Sequence, residues 1–291
     1  MAILKEKRPQ NITGDFYVDN SCIDCDTCRW MAPEVFHRAD GQSAVYHQPI
    51  NELERKRSLQ ALLSCPTSSI GTVEDPKDIK EVQQTFPLLI ENNVYHCGYH
   101  SPASFAATSY FIQREEGNIL IDSPRFTPPL VERLEAMGGV RWLYLTHRDD
   151  VADHQKYHDH FQCTRILHQD EISNDTKTVE MQLTGYEPRE LDPDLLIIPV
   201  PGHTKGHTVL LYKNKFLFTG DHLAWSNNLQ QLIAFRNFCW YSWEELKRSM
   251  SQLKHYSFEW VLPGHGRRYH AENPEKMQQE LEKCLLWMVN K

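Results

Sequence analysis

The chain has 291 residues, 40% of them hydrophobic and 24% charged, a balance that suits a folded globular protein and, at this length, about two domains. Its formal net charge of −8 is spread along the sequence, which argues against nucleic acid or an anionic membrane surface as a main partner. No apolar run approaches the roughly 18–20 residues that span a bilayer, and Met1–Asn20 has no apolar centre, so neither membrane insertion nor secretion is expected.

In chain order, the first informative feature is Cys22-x-x-Cys25-x-x-Cys28, three thiols on one short loop. A helix is predicted over 50–63, capped by Asn51, and a fourth cysteine precedes a proline at Cys65–Pro66. Clustered thiols in a long chain without a secretion signal point to metal in a reducing compartment, the cytoplasm or a stroma-like space, and not to a disulfide framework. Three thiolates on a loop and a remote fourth before proline suit an iron–sulfur cube, with structural zinc as the simpler alternative. The polar run Glu74-Asp75-Pro76-Lys77-Asp78 breaks structure, so the domains are placed at 1–75 and 76–291.

Beyond the linker, hairpins are predicted from 108–113 with 118–122 and from 208–212 with 215–219 around Lys213-Asn214. Strands are predicted at 142–146, 165–168, 195–199 and 260–262, and helices at 130–137, after His154, at 242–253 with Ser242 as cap, and at 273–289. The mixture implies an α/β protein with mixed sheets. His147, His203, Asp221 and His265 each follow a predicted strand, and the last three follow glycine, which leaves room for a turn that aims the side chain inward. Thr146 to His154 alone holds two histidines and three aspartates, Asp149, Asp150 and Asp153. Imidazoles with carboxylates that can bridge two cations suit iron or zinc.

Two resemblances follow from these residues. Residues 10–75, with the cysteine triplet, Met31-Ala32-Pro33-Glu34-Val35-Phe36 and Ser64-Cys65-Pro66-Thr67-Ser68-Ser69-Ile70, resemble a single-cluster bacterial-type ferredoxin. This implies an α+β ferredoxin-like domain with one [4Fe–4S] cluster on Cys22, Cys25, Cys28 and Cys65, exchanging electrons with a donor or acceptor protein. Residues 88–270 resemble the metallo-β-lactamase superfamily, with its His-x-His-x-Asp-His signature followed by a separate His, a bridging Asp and a last His. This implies an αββα sandwich holding two metal ions. By the resemblance, His147 and His203 hold one metal, Asp221 bridges, and Asp153, His154 and His265 hold or orient at the other, with Asp153 and Asp221 catalytic. The middle histidine is missing and the spacing to Asp153-His154 is longer than in the signature. Asp149 is the first choice to replace that histidine and Asp150 the second. Flavodiiron members of the superfamily also place a carboxylate there, which favours iron over zinc.

The implied function is an oxidoreductase in which the cluster exchanges electrons with a di-iron site acting on a small molecule. The alternatives are a two-metal hydrolase of thioesterase or lactonase type, and a non-enzymatic redox sensor or electron carrier. Among smaller features, His207 reads as a supporting residue, and His222 either as a substrate contact or support for Asp221 or as an exposed loop residue. Phe235–Tyr241 reads as core packing or as an aromatic lid. His96, Cys97 and His100 read as structural, and His158 and His160 as solvent-facing on a helix.

Overall fold

The computed structural model describes residues 2–290. The N-terminal part runs β1 (Phe16–Val18), α1 (Thr27–Met31), β2 (Phe36–Ala39), β3 (Gln42–Val45), α2 (Glu52–Ser64) and β4 (Ile70–Thr72). β1 pairs antiparallel with β4 and β2 with β3, so the cysteine triplet and Cys65 close on each other from opposite ends of the unit. Asn51 caps α2 by accepting from the Glu54 N–H, and its amide reaches the Glu54 carboxylate, so both ends of the first turn are satisfied.

After the short α3 (Ile79–Gln83) come β5 (Leu88–Glu91), β6 (Val94–His96), β7 (Tyr110–Ile112), β8 (Ile119–Ile121), α4 (Pro128–Ala136), β9 (Trp142–Tyr144), α5 (His154–Phe161), β10 (Thr164–His168) and β11 (Met181–Leu183). The strands form one seven-stranded sheet in the order β11-β10-β9-β8-β7-β6-β5, parallel from β8 to β11 and antiparallel from β5 to β8. The second half follows with β12 (Arg189–Asp192), β13 (Leu195–Pro199), β14 (Thr208–Tyr212), β15 (Phe216–Gly220), the ribbon β16 (Ala224–Ser226) and β17 (Gln231–Ile233), α6 (Trp243–Gln252), β18 (Trp260–Pro263), β19 (Tyr269–His270) and α7 (Pro274–Val289). Its six-stranded sheet has the order β12-β13-β14-β15-β18-β19. The β14–β15 turn places Lys213 at φ +53° and Asn214 at φ +48°, both left-handed, as a two-residue hairpin needs.

Inward-facing side chains of the two sheets, including Ile112, Ile121, Tyr144, Ile197, Leu210, Phe218 and Leu262, form one fully buried layer. α4 and α5 cover the first sheet, and α6 and α7 the second, giving the expected αββα sandwich. The outer core of the first sheet does not stop at the linker. Phe16, Val45, Leu59 and Ile70 belong to the same apolar cluster as Phe86, Phe111, Leu120 and Leu143, so the N-terminal unit and the sandwich share a core. No helix among the described residues is long and apolar enough to cross a membrane.

Phe218 is fully buried with its ring centroid 5.4 Å from that of Tyr110, so it clamps the sheets together. Phe218→Ala is expected to cost about 3–5 kcal/mol of stability, read as a lowered urea midpoint at unchanged slope.

Candidate metal centre and cluster site

Strand ends of both sheets supply the centre. β9 is a short apolar strand that stops at Tyr144, and Leu145 and Thr146 carry the chain to His147, which is fully buried. Thr146 donates its backbone N–H to Asp122 Oδ1 (2.8 Å), and its hydroxyl lies 3.0 Å from the same oxygen. His147 Nδ1 donates to Thr146 Oγ1 (3.0 Å), which leaves Nε2 as a bare lone pair with no partner. Asp122 follows β8 at φ +53° and is buried; burial, opposed by the Thr146 hydrogen bonds, raises its carboxyl to about 7. The sequence reading missed this residue, although its place directly after the run Ile119–Ile121 is the same signal that singled out the others.

Directly after His147 the chain takes a 3₁₀ turn over Arg148–Asp150. That turn swings two carboxylates into the centre. Asp149 Oδ2 lies 3.8 Å from His147 Nε2 and 3.4 Å from His203 Nε2. Asp150 is buried with neither oxygen partnered, and burial with the nearby Asp221 pushes its carboxyl well above the carboxylate range. Asp221 Oδ2 is 3.8 Å from His147 Nε2 and 3.7 Å from His203 Nε2. Burial opposes charge on Asp221, yet His265, His147 and His203 hold its carboxyl far below the usual range. His265 Nδ1 donates to Asp221 Oδ1 (2.8 Å); burial alone would lower its pKa, but Asp221 raises it to about 10. The chain therefore brings together His147, Asp149, Asp150, His203, Asp221 and His265. Two sets have one donor atom from each residue within 4.8 Å of the others: His147 with Asp149 and His203, and His147 with Asp150 and Asp221.

Two expected ligands do not join them. Asp153 accepts from the Phe126 N–H (2.8 Å) and from Lys156 Nζ (2.8 Å). His154 Nδ1 faces Arg165 Nη1 at 3.2 Å, where a guanidinium excludes a cation, and burial with Arg165 lowers its pKa. The cause is the turn itself. It consumes Asp149 and Asp150, so the chain is already entering α5 at Asp153, facing away from the centre. Asp153 is bonded to Phe126 and Lys156 instead and belongs to neither donor set. Asp149 and Asp150 are not alternatives here, because both reach the centre.

Glycine is required beside two of the ligands. Gly220 has φ +47°, and a Cβ there would stand 2.6 Å from Thr146 Oγ1 and 2.8 Å from His207 Nε2. A Cβ on Gly264 would meet Asp150 Oδ2 at 2.6 Å. His207 stacks on His147 at 4.7 Å between ring centroids, and its Nε2 accepts from the Asp221 N–H (3.2 Å), so it supports two of these residues. His222 is fully buried with neither ring nitrogen hydrogen-bonded, which overturns the exposed-loop reading. Phe238, Trp240 and Tyr241 are exposed, not core, and the Trp240 N–H donates to the His203 carbonyl (2.8 Å), so the aromatic segment forms a rim beside the centre. His158 is only half-exposed and bonds the Cys163 carbonyl (2.8 Å), whereas His160 is exposed and pairs with Glu135.

In the N-terminal unit, Cys22, Cys25, Cys28 and Cys65 line one small pocket with Val18, Ile23 and Ile70, and all are unbridged. The Ser43 N–H donates to Cys22 Sγ (3.4 Å) and the Ser69 N–H to Cys65 Sγ (3.2 Å), the kind of contact that tunes a cluster's potential. Burial raises the Cys25 thiol to about 11, so ligation would have to draw off its proton.

Residues 18–72 match the family described as the 4Fe-4S single cluster domain of ferredoxin I. The sandwich is similar in fold to the metallo-β-lactamase from Pontibacter korlensis (17% identity, TM-score 0.52, covering 70% of this chain and 98% of that one). It is also similar to the DIM-1 metallo-β-lactamase (19%, TM-score 0.52, 67% and 95%) and to TMB-1 (18%, TM-score 0.52, 67% and 95%). No curated protein sequence matches the chain. The chain thus joins an iron–sulfur ferredoxin domain to a domain of the metallo-β-lactamase fold. More particularly, the first is of the single-cluster [4Fe–4S] kind and occupies residues 18–72.

Loss of a direct donor is expected to weaken metal binding at the second centre more than loss of a supporting hydrogen bond. His203→Ala and Asp149→Asn should each exceed the roughly 10–100-fold expected for Asp122→Asn, while His154→Gln leaves metal content unchanged, measured by elemental analysis after dialysis against chelator. Gly220→Ala, forced into a left-handed backbone and against Thr146 and His207, is expected to cost about 1–3 kcal/mol and lower metal content together with Tm.

Proposed function

We propose that this protein is a metal-dependent oxidoreductase in which the ferredoxin cluster exchanges electrons with a dinuclear iron centre that acts on a small molecule. The observation that carries the reading is how the cluster loop is joined to the metal-site loop. Asp26, next to Cys25, accepts from Arg267 Nε (2.9 Å), which stands two residues after His265. Thr27 Oγ1 contacts His100 Nδ1 (3.1 Å), and the same loop brings the Phe105 carbonyl to His265 Nε2 (3.3 Å). Hydrolysis needs no electrons, so this coupling would be idle in a simple hydrolase.

The donor set fits a metal, because His147 Nε2, both His203 ring nitrogens and both Asp150 oxygens are buried without partners. His147, His203 and Asp149 would hold one ion, and Asp150 and Asp221 would reach the second, with His265 orienting Asp221 through its hydrogen bond. Two imidazoles and one carboxylate are a donor set characteristic of non-haem iron. The metals would supply one-electron redox chemistry and polarise a bound oxygen atom. The protein's own part is to hold His147 in its lone-pair-inward tautomer through Thr146 and Asp122, to fix Asp221 through His207, and to leave Asp149 half-exposed toward the entering molecule. Asp150, with both oxygens unpaired beside Asp221, favours a second reading, a hydrolase in which it accepts a proton from water.

Protein purified without air is expected to hold about six irons per chain, four in the cube and two in the second centre, with both titrating in a redox experiment followed by electron paramagnetic resonance. Four irons with two zincs, and turnover indifferent to cluster reduction, would replace this reading with the hydrolase.

A further inference from the structure

Each of the four sulfurs in the cysteine pocket meets a hydrogen-bonding group. The Ser43 N–H reaches Cys22 Sγ, the Ser69 N–H reaches Cys65 Sγ, and Ser43 Oγ lies 3.2 Å from Cys28 Sγ. Those partners belong to the N-terminal unit itself. At Cys25 the contacts lead elsewhere. Cys25 Sγ is 3.4 Å from Thr27 Oγ1, Thr27 Oγ1 is 3.1 Å from His100 Nδ1, and His100 Nε2 is 2.9 Å from His96 Nε2. The chain of contacts thus starts on the cysteine loop and ends on two histidines of the sandwich. Thr27, His96 and His100 are all buried, so water does not compete for these bonds. The loop that carries His100 is also anchored. The Tyr99 carbonyl accepts from the Arg125 N–H (2.8 Å), the Tyr99 ring centroid lies 5.2 Å from that of Phe86, and the Ala106 N–H donates to the Ser101 carbonyl (2.9 Å).

Every link could carry its proton in either direction, but the two ends select the same one. At the first end, a ligating Cys25 sulfur has no proton and can only accept. Thr27 therefore donates its hydroxyl proton to sulfur and accepts from His100 Nδ1–H. His100 Nε2 is then a lone pair and takes the His96 Nε2–H. At the other end, His96 Nδ1 is sealed from solvent and has no hydrogen bond. In this direction that atom is a bare lone pair, whereas in the reverse direction it would be a bare N–H. A buried N–H without an acceptor is the costlier of the two. The reverse direction would also turn the Thr27 proton away from sulfur and onto His100.

Reduction adds negative charge to an iron–sulfur cluster, and a donor on a ligating sulfur stabilises the reduced form more than the oxidised one. A hydroxyl that itself accepts from an N–H is polarised and donates more strongly. We propose that His100, held by His96, keeps the Thr27 hydroxyl proton on the Cys25 sulfur and so raises the cluster's reduction potential. The sandwich would then tune a cluster for which it supplies no ligand. Thr27 acts on the sulfur directly, and His100 is a positioning residue that acts through Thr27. The inference rests on Cys25 ligating the cluster and not on the reaction at the metal centre.

The test is a redox titration of the cluster in the full, cluster-loaded chain, followed by electron paramagnetic resonance. Thr27→Val, which removes the hydroxyl at nearly constant shape, is expected to lower the potential by about 59 mV, a tenfold change in the one-electron equilibrium. Thr27→Ser, which keeps the hydroxyl, should restore it. His100→Leu should lower the potential by about threefold in that equilibrium, through lost polarisation of the hydroxyl. In the Thr27→Val background the same His100→Leu change should do nothing further. Electron–nuclear double resonance on the reduced protein should find one fewer proton that couples to the cluster and exchanges in heavy water in Thr27→Val than in Thr27→Ser. An unchanged potential in Thr27→Val or in His100→Leu would overturn the inference. So would an equal fall on His100→Leu with and without the Thr27 hydroxyl, which would mean that His100 acts by packing alone. If Thr27→Val does not take up a cluster, Thr27→Ala takes its place in every comparison.

Discussion

Everything in the sandwich is arranged around a concentration of charge that water does not reach. Asp122, Asp150 and Asp221 are all buried at one end of the paired sheets, and mutual repulsion in a low-dielectric interior opposes their ionising together. His265 supplies one positive partner to Asp221, but neither oxygen of Asp150 has a hydrogen bond, and His147 and His203 present unpaired nitrogens to the same small space. Such a cluster is costly unless cations enter it. The surrounding hydrogen bonds are the other half of that logic. Thr146, Asp122 and His207 do not face the open space, but they set the tautomer of His147 and pin the backbone at Asp221.

The second organising contact is between the halves of the chain. The Asp26–Arg267 pair joins the residue beside Cys25 to the loop that carries His265, and Arg29 and Arg38 tie the cluster loop down through Asp24. An exposed ion pair alone contributes little stability. Here it sits above a continuous apolar cluster that buries Leu59 and Phe86 together with Leu120 and Leu143, so the pair sets orientation while the apolar contact supplies the stability.

Much of this was legible in the residues. Thiol spacing located the cluster loop, and strand-then-turn placement singled out His147, His203, Asp221 and His265, which the fold brings to one place. Matching the superfamily's signature misled at Asp153 and His154, because a motif fixes order along the chain and not the path between its members. The tight turn after His147 spends its residues on Asp149 and Asp150, and Arg165, buried and paired with Glu180, claims the neighbourhood of His154. His96 and His100, with Cys97, read as structural because a partial metal site without further partners is all that the sequence shows there. Their partner, Thr27, lies 73 residues from His100 and meets it only when the two units pack. Long-range juxtaposition of that kind leaves no local trace.

The shared core has a consequence for how the chain is made and lost. Separating the sandwich from residues 1–75 would strip Phe111, Leu120 and neighbouring apolar groups of part of their cover and leave a sticky face on the first sheet. Each half then relies on the other for part of its apolar cover, and the iron–sulfur segment shields one face of the sandwich. Damage to the cube, which oxygen or iron starvation would cause, would then loosen the packing beneath the sandwich as well. Protein turnover would follow the fate of an inorganic group gripped by four cysteines of the N-terminal unit.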